Sequence, residues 1–328
     1  MGARPIVSIC IPTWQGADVL GNAIDCALAQ TVTDSEIIIA VDGSTDGTRQ
    51  LSESRARTEP RIRVISQPHR VGWSRNVNAA LAAVEGEHFF LYPHDDTITP
   101  DYVERLLAVL EANPDAGSAC GAVRLRMPDG RESLTVGESF NERPVGRMRR
   151  FLIGDDRGAV LRALTRRRLL TNRLRLAEGS LSGFRAHLAY VFELIAAAPC
   201  IQLPDELYVR DAMRPSGLVK TWVDLGADIV VGDLSKVAAA LLATIKAHAP
   251  NRAREHLATL VLIDVAERMH HTFKSRKLGA PPAINHLHPD FDENAVEARI
   301  ASLPDGWTAR ASAKWRKAIR LAESAARS

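Results

Sequence analysis

The chain has 328 residues, 46% hydrophobic and 25% charged, which suits a soluble protein of one large or two moderate domains. Its formal net charge of +3 is too small to make nucleic acid an expected partner. No apolar run reaches the roughly 20 residues that a bilayer-spanning helix needs.

The opening MGARPIVSIC lacks the layout of a secretory leader, since its apolar run is short and reads as a strand. The expected location is therefore the cytoplasm, with room for peripheral membrane attachment. The four cysteines (Cys10, Cys26, Cys120 and Cys200) form no CxxC pair and read as buried thiols of a reducing compartment.

Strand and helix patterns alternate through residue 126. Val7–Ile11 reads as a strand closed by Pro12, and Val19–Gln30 has apolar residues at helical spacing. Glu36–Val41 and Arg61–Ile65 read as strands around a helical Thr45–Arg57. Trp73–Val84 is helical, Phe89–Tyr92 a strand, Asp101–Glu111 a helix opened by Pro100, and Ser118–Arg126 a strand. This alternation predicts an α/β fold, a mostly parallel sheet flanked by helices.

After Met127 the pattern changes. Residues 127–146 read as a loop, and residues 147–175 hold ten arginines in a helix-like stretch. His187–Ala198 reads as a helix, followed by short strands at Ile201–Leu203 and Leu207–Arg210. From about Leu225 the chain reads as helix throughout: Leu234–His248, Ala253–Phe273, Ala295–Leu303 and Trp307–Ala326. The expected organisation is 1–126, 127–215 and a helical C-terminal region, 216–328.

Three stretches place polar residues at predicted strand ends, where open α/β sheets bind ligands. In FLYPHDDTI, Asp95 and Asp96 follow an apolar run; adjacent carboxylates repel unless something positive neutralises them. A divalent cation bridging them to phosphate oxygens is one solution. The alternative is a solvated loop, with Thr99 capping the next helix. VDGSTDGT, Val41–Thr48, reads either as a turn with a helix cap or as a place where Asp42 meets a nucleobase or ribose. HRVGWSRNVNAAL, His69–Leu81, puts Arg75 at a helix start, where it is either solvated or faces a nucleotide.

Taken in order with VSICIPTWQGADVL, these stretches resemble the nucleotide-sugar half of family-2 glycosyltransferases, a GT-A, Rossmann-like fold. The resemblance spans residues 5–126 and more loosely 150–215; the helical remainder is not covered. It implies transfer of a sugar from a nucleotide-diphosphate sugar, a UDP-sugar first among them, to a hydroxyl acceptor with inversion. The acceptor would be a glycan, a lipid-linked molecule or a small molecule, and the cofactor Mn2+ or Mg2+. On this resemblance Pro12 and Thr13 contact the nucleotide, Asp42 its base, Arg75 the nucleotide, Asp95 the ribose or sugar, and Asp96 ligates the metal.

Three departures stand out. Val41 occupies the first of two positions that are often both aspartate, and Pro93 replaces the first aspartate of the metal motif. In YVFELIAAAPCIQLPDELYVRD the family's base aspartate would stand at His187, six residues before Glu193. Histidine is able to serve as a base near neutral pH; otherwise it merely begins a helix, with Glu193 and Glu178 as fallback carboxylates. A catalytically inactive sugar-nucleotide or glycan-binding relative is the alternative function. A sugar nucleotidyltransferase would need a glycine-rich basic loop after the first strand, and a nicotinamide dehydrogenase a GxGxxG; PTWQGADVL is neither.

The arginines of 147–175 read as a solvated helix face or as a contact for a phosphorylated or lipid-linked acceptor. The last helix sets Trp307, Ala311, Trp315, Ile319 and Ala322 on one side, for packing on the domain or for lying on an anionic membrane.

Overall fold

The computed structural model describes residues 4–127, 129–154, 159–211, 225–287, 295–304 and 306–326. Among the described residues nine strands form one sheet: β1 (Val7–Thr13), β2 (Ser35–Val41), β3 (Ile62–Ser66), β4 (His88–Leu91), β5 (Asp96–Ile98), β6 (Ser118–Arg126), β7 (Glu132–Thr135), β8 (Leu164–Arg166) and β9 (Cys200–Asp211). Their spatial order is β3-β2-β1-β4-β8-β6-β9-β5, with β7 paired to β6.

The first four strands pair in parallel, as their alternation with helices predicts. All seven residues of β1 are buried, because helices cover both faces of a central parallel strand. The intervening helices are α1 (Leu20–Leu28), α2 (Thr48–Thr58), α3 (Trp73–Ala82) and α4 (Tyr102–Ala112). In α1, Leu20, Ala23, Ile24 and Ala27 are buried, the three-and-four spacing of one helical face.

The second half departs from its sequence reading. Within 127–146, β7 adds a short hairpin to β6. The arginine-rich stretch is helical only in its first part, α5 (Pro144–Ile153). Beyond it, β8 inserts antiparallel between β4 and β6, tying residues on both sides of position 126 into one sheet. The two predicted short strands are one, β9, whose register against β6 shifts around Ala122. Pro204 lies in this irregular stretch, where the missing N–H costs no ladder hydrogen bond.

Several of the arginines of 147–175, Arg147, Arg162 and Arg166 among them, are bonded to carbonyls or a carboxylate of the fold. Arg147 is buried and donates to the carbonyls of Ile195, Ala196 and Glu142, closing the end of α6 (His187–Ala197). Arg166 does the same at the end of α4, bonding Leu110 O at 2.6 Å and Ala116 O at 3.0 Å. Unsatisfied carbonyls at helix ends carry partial negative charge, which favours such cations.

The C-terminal region is helical as expected: α7 (Ala227–His248), α8 (Asn251–Arg276), α9 (Val296–Ala301) and α10 (Thr308–Ala326). Leu260–Ala266 of α8 are buried without a break, so α8 is the core of this region. Ala311, Trp315, Ala318 and Ala325 of α10 are buried, and Lys314 on that helix reaches Asp264 of α8 at 2.6 Å. The apolar side of α10 is thus spent on packing, the first of its two readings. Among the described residues no helix is long and apolar enough to cross a membrane. All four cysteines are free thiols; Cys10, Cys120 and Cys200 are buried and Cys26 is half-buried.

Candidate nucleotide-sugar site

The carboxyl ends of β1, β2 and β4 meet at one edge, and most of the residues singled out from sequence gather there. Pro12 O accepts from or faces His94 Nδ1 at 3.2 Å, and Asp42 N donates to Thr13 O at 3.0 Å. The loop after β1 is laced to the loop after β2. Gln15 N donates to Ser44 Oγ at 3.0 Å, Gly16 N to Thr48 Oγ1 at 2.9 Å, and Ala17 N to Asp46 at 3.0 Å. Asp46 also accepts from Thr48 N, so the VDGSTDGT stretch is both a helix entry and a staple between loops.

Asp42 is buried, and its carboxylate accepts from Val71 N at 2.6 Å and Gly72 N at 3.0 Å. Burial pushes its pKa up, against the pull of those two amides. The carboxylate therefore shapes the 70–72 loop. Gly43 and Gly72 both have positive φ, 56° and 95°. A Cβ on Gly43 would stand 2.4 Å from Arg70 N, and one on Gly72 2.8 Å from Leu181 Cα. Only glycine permits these close approaches.

Arg70 lies over the Trp14 ring, its guanidinium carbon 3.6 Å from the ring centroid. Neither residue was singled out from sequence, although an aromatic residue directly after PT at the end of β1 was a usable signal. Trp14 with Arg70 gives the edge a planar, cationic element able to engage a nucleobase.

The two adjacent aspartates part company. Asp96 opens β5, and its side chain turns inward, 2% exposed. Its Oδ2 accepts from Arg162 Nη2 at 2.9 Å, Arg162 Nε at 3.2 Å and Tyr208 Oη at 2.6 Å. Arg162, its side chain 9% exposed, is thus the positive group that neutralises one of the two charges. Asp95 sits in the turn before β5, half-buried, with its pKa raised by burial and by the neighbouring Asp96. Next to it, His94 Nε2 and Thr13 Oγ1 are buried without a hydrogen-bond partner, both within 3 Å of the position a Cβ would take on Gly16. Orphaned polar atoms beside a half-buried carboxylate mark a place shaped for a polar ligand.

Among the described residues no group of three or more His, Cys, Asp and Glu side chains could hold a metal alone. A cation that bridges a diphosphate needs only one or two carboxylates besides the phosphates. Asp95 fits that need. Asp96 differs from its sequence expectation, because its charge is already matched by Arg162 and its Oδ2 carries three hydrogen bonds.

His187 begins α6 and is half-buried, edge-to-face with Trp73 at 6.2 Å between ring centroids. Trp73 follows Gly72, the residue clasped by Asp42, so His187 borders the same edge. Arg75 and Glu178 meet across the two halves, Arg75 Nε lying 3.5 Å from the Glu178 carboxylate, which also accepts from Asn78 at 3.0 Å. Glu193 lies elsewhere. Its carboxylate is 5% exposed and is held by Thr244 at 2.8 Å and His248 at 2.8 Å, both on α7, with Arg173 at 3.4 Å. It faces the helical region and takes no part in this edge.

Residues 8–169 match the family model described as glycosyl transferase family 2. The chain belongs to glycosyl transferase family 2. Among curated relatives of this family-2 chain, the chondroitin synthase of Pasteurella multocida (strain Pm70) is 37% identical over 116 residues, 35% of this chain and 12% of that protein. The chondroitin synthase of Escherichia coli is 34% identical over 137 residues, 42% of this chain and 19% of that protein. The match therefore spans less than a fifth of those synthases. Among solved structures, residues 1–349 of S. aureus TarS in complex with UDP-GlcNAc superpose with a TM-score of 0.65 at 14% identity, over 98% of this chain and 90% of that one. The complex of the same fragment with UDP gives 0.63. At this identity the likeness is one of fold, and it extends through the helical C-terminal region.

Proposed function

We propose that this family-2 chain transfers a sugar from a nucleotide-diphosphate sugar, a UDP-sugar in the first instance, to a hydroxyl acceptor with inversion. The observation that supports this reading is that Thr13, Asp42 and Asp95 stand at the carboxyl ends of neighbouring parallel strands, with Arg70 over Trp14 beside them. The UDP and UDP-GlcNAc complexes of the S. aureus fold neighbour support the choice of donor.

The nucleobase packs at the Trp14–Arg70 pair, on the loop that Asp42 shapes, and the diphosphate runs past Thr13 and His94 towards Asp95. When bound, a Mn2+ or Mg2+ ion would be held by Asp95 and the donor phosphates and would offset charge on the leaving diphosphate. The acceptor oxygen attacks the anomeric carbon, the bond to the diphosphate oxygen breaks with its electron pair, and the acceptor proton passes to His187. Arg75 is committed to Glu178 and acts by joining the two halves.

The test is a panel of nucleotide sugars screened by thermal stabilisation with and without Mn2+, followed by measurement of donor hydrolysis. Stabilisation by one donor together with slow hydrolysis supports the enzyme. Stabilisation with no hydrolysis or transfer under any condition points to a non-catalytic relative, and no stabilisation by any donor refutes the site.

A further inference from the structure

A cavity of about 420 Å3 lies away from the strand ends, between segment 172–178 and α7. That size falls within the roughly 300–1,000 Å3 of small-ligand sites. Its lining is unusually cationic. Arg173, Arg175 and Lys236 all border it, against one carboxylate, Glu178. Glu178 is already engaged by Asn78 and Arg75, and Arg173 partly by Glu193. Among the described residues neither Arg175 nor Lys236 has a carboxylate partner.

The floor is rigid. Thr244 lines the cavity and donates to the buried Glu193, which also holds His248, so both walls are tied through one hydrogen-bonded carboxylate. Like charges gathered in a concave place repel one another and focus a positive potential outward. Such an arrangement is relieved by an anion of matching size.

We propose that this cavity binds an anionic group, phosphate or carboxylate, carried by the acceptor. The inference rests on the transferase reading above and names the class of acceptor that reading leaves open. The geometry links the two places directly. Glu178 on the cavity wall bonds Arg75 and Asn78 of α3, the helix that starts at Trp73 beside His187. An acceptor anchored by its anion at Arg175 and Lys236 would extend towards that helix start.

The test uses the double variant Arg175→Gln, Lys236→Gln. Both side chains are exposed, so folding is not at stake. First, binding of inorganic phosphate and of glucuronate is measured by calorimetry with UDP saturating the donor edge. Wild type should bind at least one of them, and the variant should lose tenfold or more in affinity. Then transfer is compared across phosphate-bearing, uronate-bearing and neutral oligosaccharide acceptors. The variant should raise KM for the charged class about tenfold or more, with donor hydrolysis unchanged, and the wild-type KM for that class should rise with added salt. The arm that responds separates phosphate from carboxylate. Equal use of neutral and charged acceptors, or a variant with wild-type KM for the charged ones, overturns the proposal. Loss of donor hydrolysis in the wild-type chain would instead refute the transferase reading, and the calorimetric arm would still decide whether the cavity takes an anion.

Discussion

Replacing Asp96 should destabilise the fold, whereas replacing Asp95 should abolish cation-dependent donor binding and leave the fold standing. Asp96 and Arg162 form a pair whose side chains are only 2% and 9% exposed, and Tyr208 adds a hydrogen bond at 2.6 Å. Removing one partner of a buried ion pair leaves the other charge without compensation and costs about 3–5 kcal/mol. Unfolding entropy is about 2.1 cal/mol/K per residue, or roughly 0.7 kcal/mol/K for 328 residues, so Asp96→Ala should lower Tm by about 4–7 °C. Removing both charges with Asp96→Leu, Arg162→Met should cost less than Asp96→Ala alone, because no unpaired charge remains. Among the described residues Asp95 has no such partner; Asp95→Asn should keep Tm within about 1–2 °C while losing the extra stabilisation that Mn2+ gives with a nucleotide sugar. Since burial and Asp96 raise Asp95's pKa above the usual 3.8, that stabilisation should begin to fade, as pH falls, at a higher pH than an ordinary aspartate would give. Scanning calorimetry of the four proteins, with and without donor and Mn2+, decides the matter. An Asp96→Ala protein that melts like wild type yet loses Mn2+-dependent binding would refute this division of labour and return Asp96 to the metal.

His187→Ala should lower turnover by roughly 10²–10⁴-fold with little change in donor affinity, as expected for loss of a general base, and His187→Asp should recover part of the rate with a profile shifted to lower pH; a wild-type rate in the alanine variant would reduce His187 to a helix start. Asp233 on α7 is buried and accepts from Ser180 N at 2.7 Å, Ser180 Oγ at 2.7 Å, Ser182 Oγ at 2.9 Å and Phe184 N at 2.8 Å. Asp233→Ala should therefore cost about 2–4 kcal/mol in denaturant titrations. It should also depress kcat, because the 180–184 loop rests on Gly72 and leads into His187; unchanged kcat in the folded variant would separate the loop from catalysis. For Glu193, burial opposes ionisation, but hydrogen bonds from His248 and Thr244 and the nearby Arg173 charge outweigh it and hold its pKa below the usual 4.5. That contribution to stability is present above about pH 4.5 and is lost as pH falls through the lowered value. Glu193→Gln should be less stable than wild type at pH 7, with the gap narrowing below about pH 4.5 in urea midpoints; a constant gap would contradict the assignment.

The local patterns of the first 126 residues determined most of their elements, because those helices and strands bury a face that their own periodicity announces; β5, three residues long, is too short to carry a period and was not read. Val7–Ile11 and Ser118–Arg126 were readable as strands, and Leu20, Ala23, Ile24 and Ala27 as a helix face, from spacing alone. The gathering of Thr13, Asp42 and Asp95 at one edge followed from the rule that parallel strands end together. What spacing could not tell was partnership. Two adjacent aspartates differ in burial and in partners because Asp96 is the first residue of a strand paired to β9, which brings Tyr208 to it, while a turn before β8 brings Arg162. Those partners stand 112 and 66 positions away in sequence, so no local pattern carries them. The same reason hid the role of the arginines at 147–175. Arg147 and Arg166 bond carbonyls at the ends of α6 and α4, groups that exist as sites only once those helices are packed nearby. Glu193 likewise lay at a plausible distance in sequence from a family motif, but its partners Thr244 and His248 belong to a helix that no motif covers. Residue type and periodicity fixed which groups were available; the packing of distant segments decided which of them are spent on the fold and which are left for a ligand.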